Sequence, residues 1–204
     1  AVLLLGGTSP SGSTTVPKLP VGAANWTTAP ALDITRIAPG AVRLNPAGIL
    51  VFGGYQGGEA TDEVLRYDCY FGDRQDAGKL LDPRDHFAFA VDGLGRAYAF
   101  GGSGSSGQTL ASAERFDSAA DEWAAIAPLP GARSGSCAVA ATNGYIYVFG
   151  GSAAGSIRTN TYRYSIAANT WDEVASIPVG VRNAAAVLFG ERIYVLGGVA
   201  STGP

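Results

Sequence analysis

A double glycine preceded by an apolar run recurs five times in this chain, and its regularity limits the fold more than any other feature. The copies are Leu3-Leu4-Leu5-Gly6-Gly7, Leu50-Val51-Phe52-Gly53-Gly54, Tyr98-Ala99-Phe100-Gly101-Gly102, Tyr147-Val148-Phe149-Gly150-Gly151 and Tyr194-Val195-Leu196-Gly197-Gly198. Their first glycines stand 47, 48, 49 and 47 residues apart. Other landmarks keep phase. An aromatic residue precedes a Trp by seven positions at Phe116 and Trp123 and at Tyr164 and Trp171. The first unit has Leu19 before Trp26, and the second has Arg74 after Tyr67 where Trp is expected. An Arg stands 17 residues before the next double glycine at Arg36, Arg84 and Arg133, and 15 before it at Arg182.

Within each unit the pattern predicts four short strands. A small-residue strand such as Ser136-Cys137-Ala138-Val139-Ala140 follows the Arg, and a turn such as Asn143-Gly144 leads to the apolar strand. The third strand ends at the Tyr or Phe, and the fourth carries the Trp. The second strand is apolar on both faces, which suits a strand sandwiched between neighbouring sheets. No window carries a sustained 3.6-residue apolar period, so the chain reads as all-β. Four-stranded units of this length, repeated, are the signature of propeller blades.

These residues resemble the Kelch-repeat family: the double glycine, the aromatic seven before Trp, and the Arg in Pro130-Gly131-Ala132-Arg133 all match its pattern. The resemblance covers nearly the whole chain, best over 133–198 and least over 8–45. It implies a Kelch-type β-propeller of four-stranded blades, three full and two partial in this chain, forming part of a five- to seven-bladed ring. The expected units of this single domain, 1–204, are about 1–35, 36–83, 84–132, 133–181 and 182–204. The chain begins without Met and directly in an apolar run too short for a signal peptide, so a fragment of a longer protein is expected.

Composition narrows the function classes. Charged residues make up 15% of the chain and the formal net charge is −3, with no Lys/Arg run, so no nucleic-acid partner is expected. No apolar stretch reaches the roughly 18 residues of a membrane span. Gly102-Ser103-Gly104-Ser105-Ser106-Gly107 spells a dinucleotide-type glycine motif, but a β-strand follows where a helix is needed, so it reads as a loop. His86 is the only histidine, and Cys69 and Cys137 lack metal-ligand spacing; no metal, cofactor or catalytic set is expected. This stretch cannot supply the paired His ligands of a galactose-oxidase-like copper site. Cys137 reads as a buried, unreactive thiol, and a Cys69–Cys137 bridge is disfavoured by blade position.

Three surfaces remain. Arg36, Arg84, Arg133 and Arg182 share one blade position, and propeller symmetry would set them in a ring around one mouth of the channel, able to hold an anionic peptide or sugar; the competing reading is a hydrogen-bonding role between loops. The loops after each double glycine, Tyr55 to Glu59, Ser103 to Leu110 and Ser152 to Ser156, form a candidate binding face. Asn25-Trp26-Thr27 is a glycosylation sequon, with Trp26 expected to face inward and Asn25 outward. With the low charge it leans toward an extracellular setting. The leading expectation is a non-enzymatic module that binds a protein partner or packs into a larger assembly through its loop face. The alternatives are a carbohydrate-active propeller, of sugar-oxidase or sugar-acid-isomerase type, completed by groups outside this chain, and a structural glycosylated extracellular domain.

Overall fold

The computed structural model describes residues 2–3, 14–32, 35–44, 48–68 and 70–201, and among them there are strands and no helices. Strands are numbered in chain order. Sheet I joins β1 (Val2–Leu3), β2 (Val16–Leu19) and β3 (Thr27–Ala29). Next come β4 (Gly40–Arg43), β5 (Gly48–Phe52), the short hairpin of β6 (Tyr55–Gln56) and β7 (Glu59–Ala60), then β8 (Glu63–Asp68) and β9 (Arg74–Lys79); sheet II has the order β4-β5-β8-β9. Sheet III is β10 (Ala88–Val91), β11 (Ala97–Phe100), β12 (Ala113–Asp117) and β13 (Glu122–Ile126). Then follow β14 (Cys137–Ala140), β15 (Tyr145–Phe149), the hairpin of β16 (Ser152–Ala153) and β17 (Ser156–Ile157), β18 (Thr161–Ser165) and β19 (Thr170–Val174); β14-β15-β18-β19 form sheet IV. Last, β20 (Val181–Arg182) pairs with β23 (Val199–Ala200), while β21 (Ala185–Phe189) and β22 (Arg192–Leu196) form sheet V. All pairings are antiparallel. Three sheets thus have the full four strands and two are partial, as the repeats predict.

The first strands β4, β10, β14 and β21 pack one beside the next, so the sheets fan out from a common axis. The cores lie between sheets. Leu50 and Phe52 of β5 meet Ala97, Ala99, Phe116 and Trp123 of sheet III, while Val51 and Ile49 turn the other way to Val16 and Ala29 of sheet I. Tyr98 and Phe100 of β11 likewise face Ile146, Val148 and Tyr164 of sheet IV. This explains the second strand's unbroken apolar run: alternate side chains serve two different cores.

Phe116 pairs directly with Trp123 and Tyr164 with Trp171 across the two outer strands. Each Trp then reaches the preceding sheet. Trp123 lies 5.0 Å from Phe52, and Trp171 lies edge-on at 5.5 Å from Phe100, its indole N–H donating to the Ala127 carbonyl at 2.8 Å. Trp26 departs from the expectation: it is 51% exposed. Leu19, just past the Lys18–Thr27 pair, supplies no ring against which it could pack.

Candidate functional site

The Arg and the double glycine act as one joint. In sheet II, Arg36 Nη1 donates to the Gly53 carbonyl at 3.0 Å; Arg84 does the same to Gly101 at 2.7 Å and Arg133 to Gly150 at 3.0 Å. The backbone carbonyls of Arg84 and Arg133, in turn, accept from the second glycine of the preceding sheet: Gly54 N–H to Arg84 at 2.8 Å and Gly102 N–H to Arg133 at 2.9 Å. A Cβ on Gly53 or Gly101 would sit 2.7 or 2.6 Å from those same carbonyls, and both residues have left-handed φ. Glycine is required there by close backbone approach as well as by torsion.

Arg36, Arg84 and Arg133 are therefore buried and committed. Arg36 also bonds Glu63, and Arg84 bonds Glu114, itself buried and accepting the Leu81 and Asp82 N–H groups. Among the described residues Arg133 forms no ion pair, feeling Glu173 only through space, and it lies 4.1 Å from the Tyr162 ring centre. Burial lowers the pKa of Arg36 and of Arg133. The expected ring of four cations at the channel mouth is not what these residues make: three guanidiniums face backbone carbonyls within the protein.

Arg182 is exposed, and the cause is local. The hairpin of sheet V is one residue shorter than that of sheet IV, because Ala185 pairs with Leu196 where Cys137 pairs with Phe149. In addition, Arg182 stands three residues before Ala185 where Arg133 stands four before Cys137, so Val181 takes the station of the joint and its carbonyl accepts the Gly151 N–H at 2.8 Å. Arg182 pairs with Val199, the station filled by Asp85 opposite Ser103 and by Ser134 opposite Ser152.

That slip sets Arg182 beside Gly135 and His86, which line a groove of about 400 Å³ where the first strands converge; its other walls include Phe87, Phe89, Ala88, Ala138 and Ala186. One residue per sheet turns the corner in left-handed backbone: Ala38, His86, Gly135 and Asn183. The last three are strung together, with Gly135 N–H donating to His86 O at 2.6 Å and Asn183 N–H to Gly135 O at 2.7 Å. The His86 side chain is 44% exposed and its Nδ1 lies 2.7 Å from Asp85 Oδ1. That hydrogen bond raises the imidazole pKa, against burial and the nearby positive charge of Arg182. A Cβ on Gly135 would stand 3.4 Å from Arg182 Cβ, so His86 and Arg182 flank this glycine. This region thus offers the Arg182 guanidinium, an imidazole whose pKa is raised, an Asn amide and an apolar floor. Sequence reasoning saw His86 and Arg182 separately but missed Asn183 and the grouping. The signal was the slipped spacing of 15 at Arg182.

The remaining expectations fall as follows. The Cys137 thiol is buried and pushed up to about 11 by desolvation; Cys69 lies outside the described residues. Gly104 and Gly107 donate inside their own loop, to Gln108 and Gly104 carbonyls, so this glycine-rich turn closes on itself. The loops after the second and fourth double glycines are the hairpins β6–β7 and β16–β17, at the same end as the groove. Asn25 is exposed in the β2–β3 turn. Among the described residues no group of three His, Cys, Asp or Glu side chains gathers as a metal site, and no helix is long and apolar enough to cross a membrane.

Comparison with known proteins places these features. The model of the KLHDC2/KLHL20/DRC7 Kelch-repeats domain matches residues 2–198. Kelch-like protein 34 of Homo sapiens is 36% identical over 93 residues, covering 46% of this chain and 14% of that protein. N-acetylneuraminate epimerase of Haemophilus influenzae is 32% identical over 103 residues, covering 48% of this chain and 27% of the enzyme. The chain therefore spans less than a third of either relative. Among solved structures, that of YjhT superposes with a TM-score of 0.80 at 16% identity, over 92% of this chain and 67% of that one; this likeness concerns the fold.

Proposed function

The chain belongs to the Kelch-repeat family, and on that premise we propose that it is a non-enzymatic interaction module holding an acidic segment of a partner protein at the groove and its surrounding loops. The observation that carries this reading is the displaced Arg182, a guanidinium freed from the buried joint and set beside His86 over an apolar floor. A guanidinium offers paired donors to a carboxylate, and the alanine-walled groove below accepts a small apolar side chain. Rigid sheets hold the loops in place, so little order has to be created on binding. The test is calorimetric titration with a glutamate-rich peptide. Binding should weaken as salt rises, fall with Arg182→Ala, and fall with Ala138→Trp, which fills the groove. Affinity indifferent to both substitutions would overturn the reading.

A second reading draws on the Asp85–His86 pair, which resembles a carboxylate-oriented base, and on the epimerase relative. Here the groove takes N-acetylneuraminate or a similar sugar acid, Arg182 holds the carboxylate and His86 moves a proton, with further groups supplied from outside these residues. Proton NMR of N-acetylneuraminate mixed with the protein distinguishes the two. Accelerated interconversion of sugar forms, lost in His86→Gln, favours the enzyme; an unchanged spectrum removes it.

A further inference from the structure

At the opposite end of the strands, the turn between β8 and β9 breaks the pattern of its sister turns. Where sheet III has Ala119 and Ala120 and sheet IV has Ala167 and Ala168, sheet II has Tyr70 and Phe71, 64% and 81% exposed. In the same unit the Trp position of the sister sheets is filled by Arg74, while aromatic rings stand at the tip. This tip is held in place. Asp68 Oδ1 accepts from Tyr70 N–H at 2.7 Å and Phe71 N–H at 3.0 Å, and Gly72 N–H donates to Asp68 O at 2.9 Å. Gly72 is in left-handed backbone, close enough to Pro30 that a Cβ would sit 2.5 Å from its ring. Lys18 Nζ lies 5.2 Å from the centre of the Tyr70 ring. These contacts tie the turn to the β2–β3 hairpin, which carries the exposed Val21 and Trp26.

Beside the aromatic tip is a groove of about 240 Å³, floored by Leu44, Ile49 and Tyr67 and edged by Asp68, Asp73, Gln75 and Arg66, the last paired with Asp121. The exposed Asp73 carboxylate has no side-chain partner among the described residues. Exposing an anchored aromatic pair costs solubility with no packing return, and such patches mark interaction sites. The tip is rigid, so its rings keep their contact area without a further ordering cost on binding.

We propose that this outer end of sheets I and II is a docking surface for a protein segment carrying an apolar side chain next to a cationic one. The apolar group packs against Phe71 and Tyr70, and the cation enters the groove opposite Asp73. The exposed rings and the Asp73 carboxylate, unpaired among the described residues, stand side by side, an arrangement matched by adjacent apolar and cationic side chains of one peptide. This surface is separate from the Arg182 groove, at the other end of the same strands, and it is the opposite in charge preference.

The test is selection of a displayed random peptide library on the full 204-residue chain, followed by titration of the enriched peptides. Peptides pairing Lys or Arg with an aromatic or aliphatic residue should emerge. Their affinity should fall about tenfold or more in Phe71→Ser, fall in Asp73→Asn, and weaken as salt rises. Arg182→Ala should leave it unchanged, which keeps this outcome independent of the groove reading. Thermal unfolding of Phe71→Ser should match the parent, since the ring is exposed. Enriched peptides that are acidic, or that bind Phe71→Ser as well as the parent, overturn the proposal. So does Phe71-dependent binding to phosphatidylserine vesicles.

Discussion

In sheet III, Tyr98 and Phe100 leave β11 toward sheet IV and are fully buried there; in sheet V the residues at the same stations, Tyr194 and Leu196, are exposed on β22. Sheet III also has its Arg in the buried joint, Arg84 against Gly101, Ser112 and Glu114, whereas sheet V has Val181 there and Arg182 outside. The Arg182 difference is one of local spacing, but the Tyr194 and Leu196 difference lies in what each sheet is packed against. A second strand that is apolar on both faces requires a sheet on both sides. Sheet V, in the described residues, has sheet IV on one side only. The comparison separates residues that hold the fan together from residues of the same type that are free to do something else.

The largest effects should come from the sheet III joint. Arg84→Ala removes the guanidinium and leaves Glu114 buried without its partner, which costs about 3–5 kcal/mol; urea unfolding against the parent measures it, and a loss below about 1 kcal/mol would contradict the joint. Phe100→Ala should be of similar size, about 3–5 kcal/mol. Leu196→Ala, at the matching station but 56% exposed, should stay within about 0.5 kcal/mol. If the two truncations cost the same, sheet V is covered in solution and the contrast disappears.

Smaller effects sharpen the picture at the glycines. Gly150 has φ +59 and a Cβ there would stand 2.2 Å from the Val181 carbonyl. Gly150→Ala should cost about 1–3 kcal/mol in torsional strain and displacement. Gly144→Ala, equally left-handed but with nothing within 4 Å of its Cβ, should cost less. Equal losses would mean that torsion alone, and not the inter-sheet contact, fixes the double glycine.

The smallest effect is a titration. Its hydrogen bond to Asp85 raises the His86 pKa above the ordinary histidine value of 6.5. A raised folded value means the charged form is favoured by folding. The associated stability is therefore complete below the ordinary value and is lost as pH rises through the folded one. The contribution is small because the ring is half exposed. NMR titration should give a midpoint above that of a free histidine. Arg182→Ala should move it further upward, since Arg182 opposes the imidazolium. A midpoint unaffected by that change would mean the two cations do not share the mouth.

The β-propeller class, the four strands of each repeat, and the burial of Phe116, Trp123 and Tyr164 follow from period and residue type alone. These signals are local: a strand apolar on both faces and a glycine pair declare themselves wherever the chain goes. Tertiary structure decided what the arginines do. Arg36, Arg84, Arg133 and Arg182 are one residue type at nearly one spacing. Whether a guanidinium is buried depends on a one-residue difference in the stretch between the Arg and the first strand, and on which neighbouring carbonyl lies about 3 Å from it. It likewise left Trp26 outside while Trp123 and Trp171 found Phe52 and Phe100 in the preceding sheet. A side chain's role at a joint is set by what arrives across it, and that partner lies a whole repeat away in the chain.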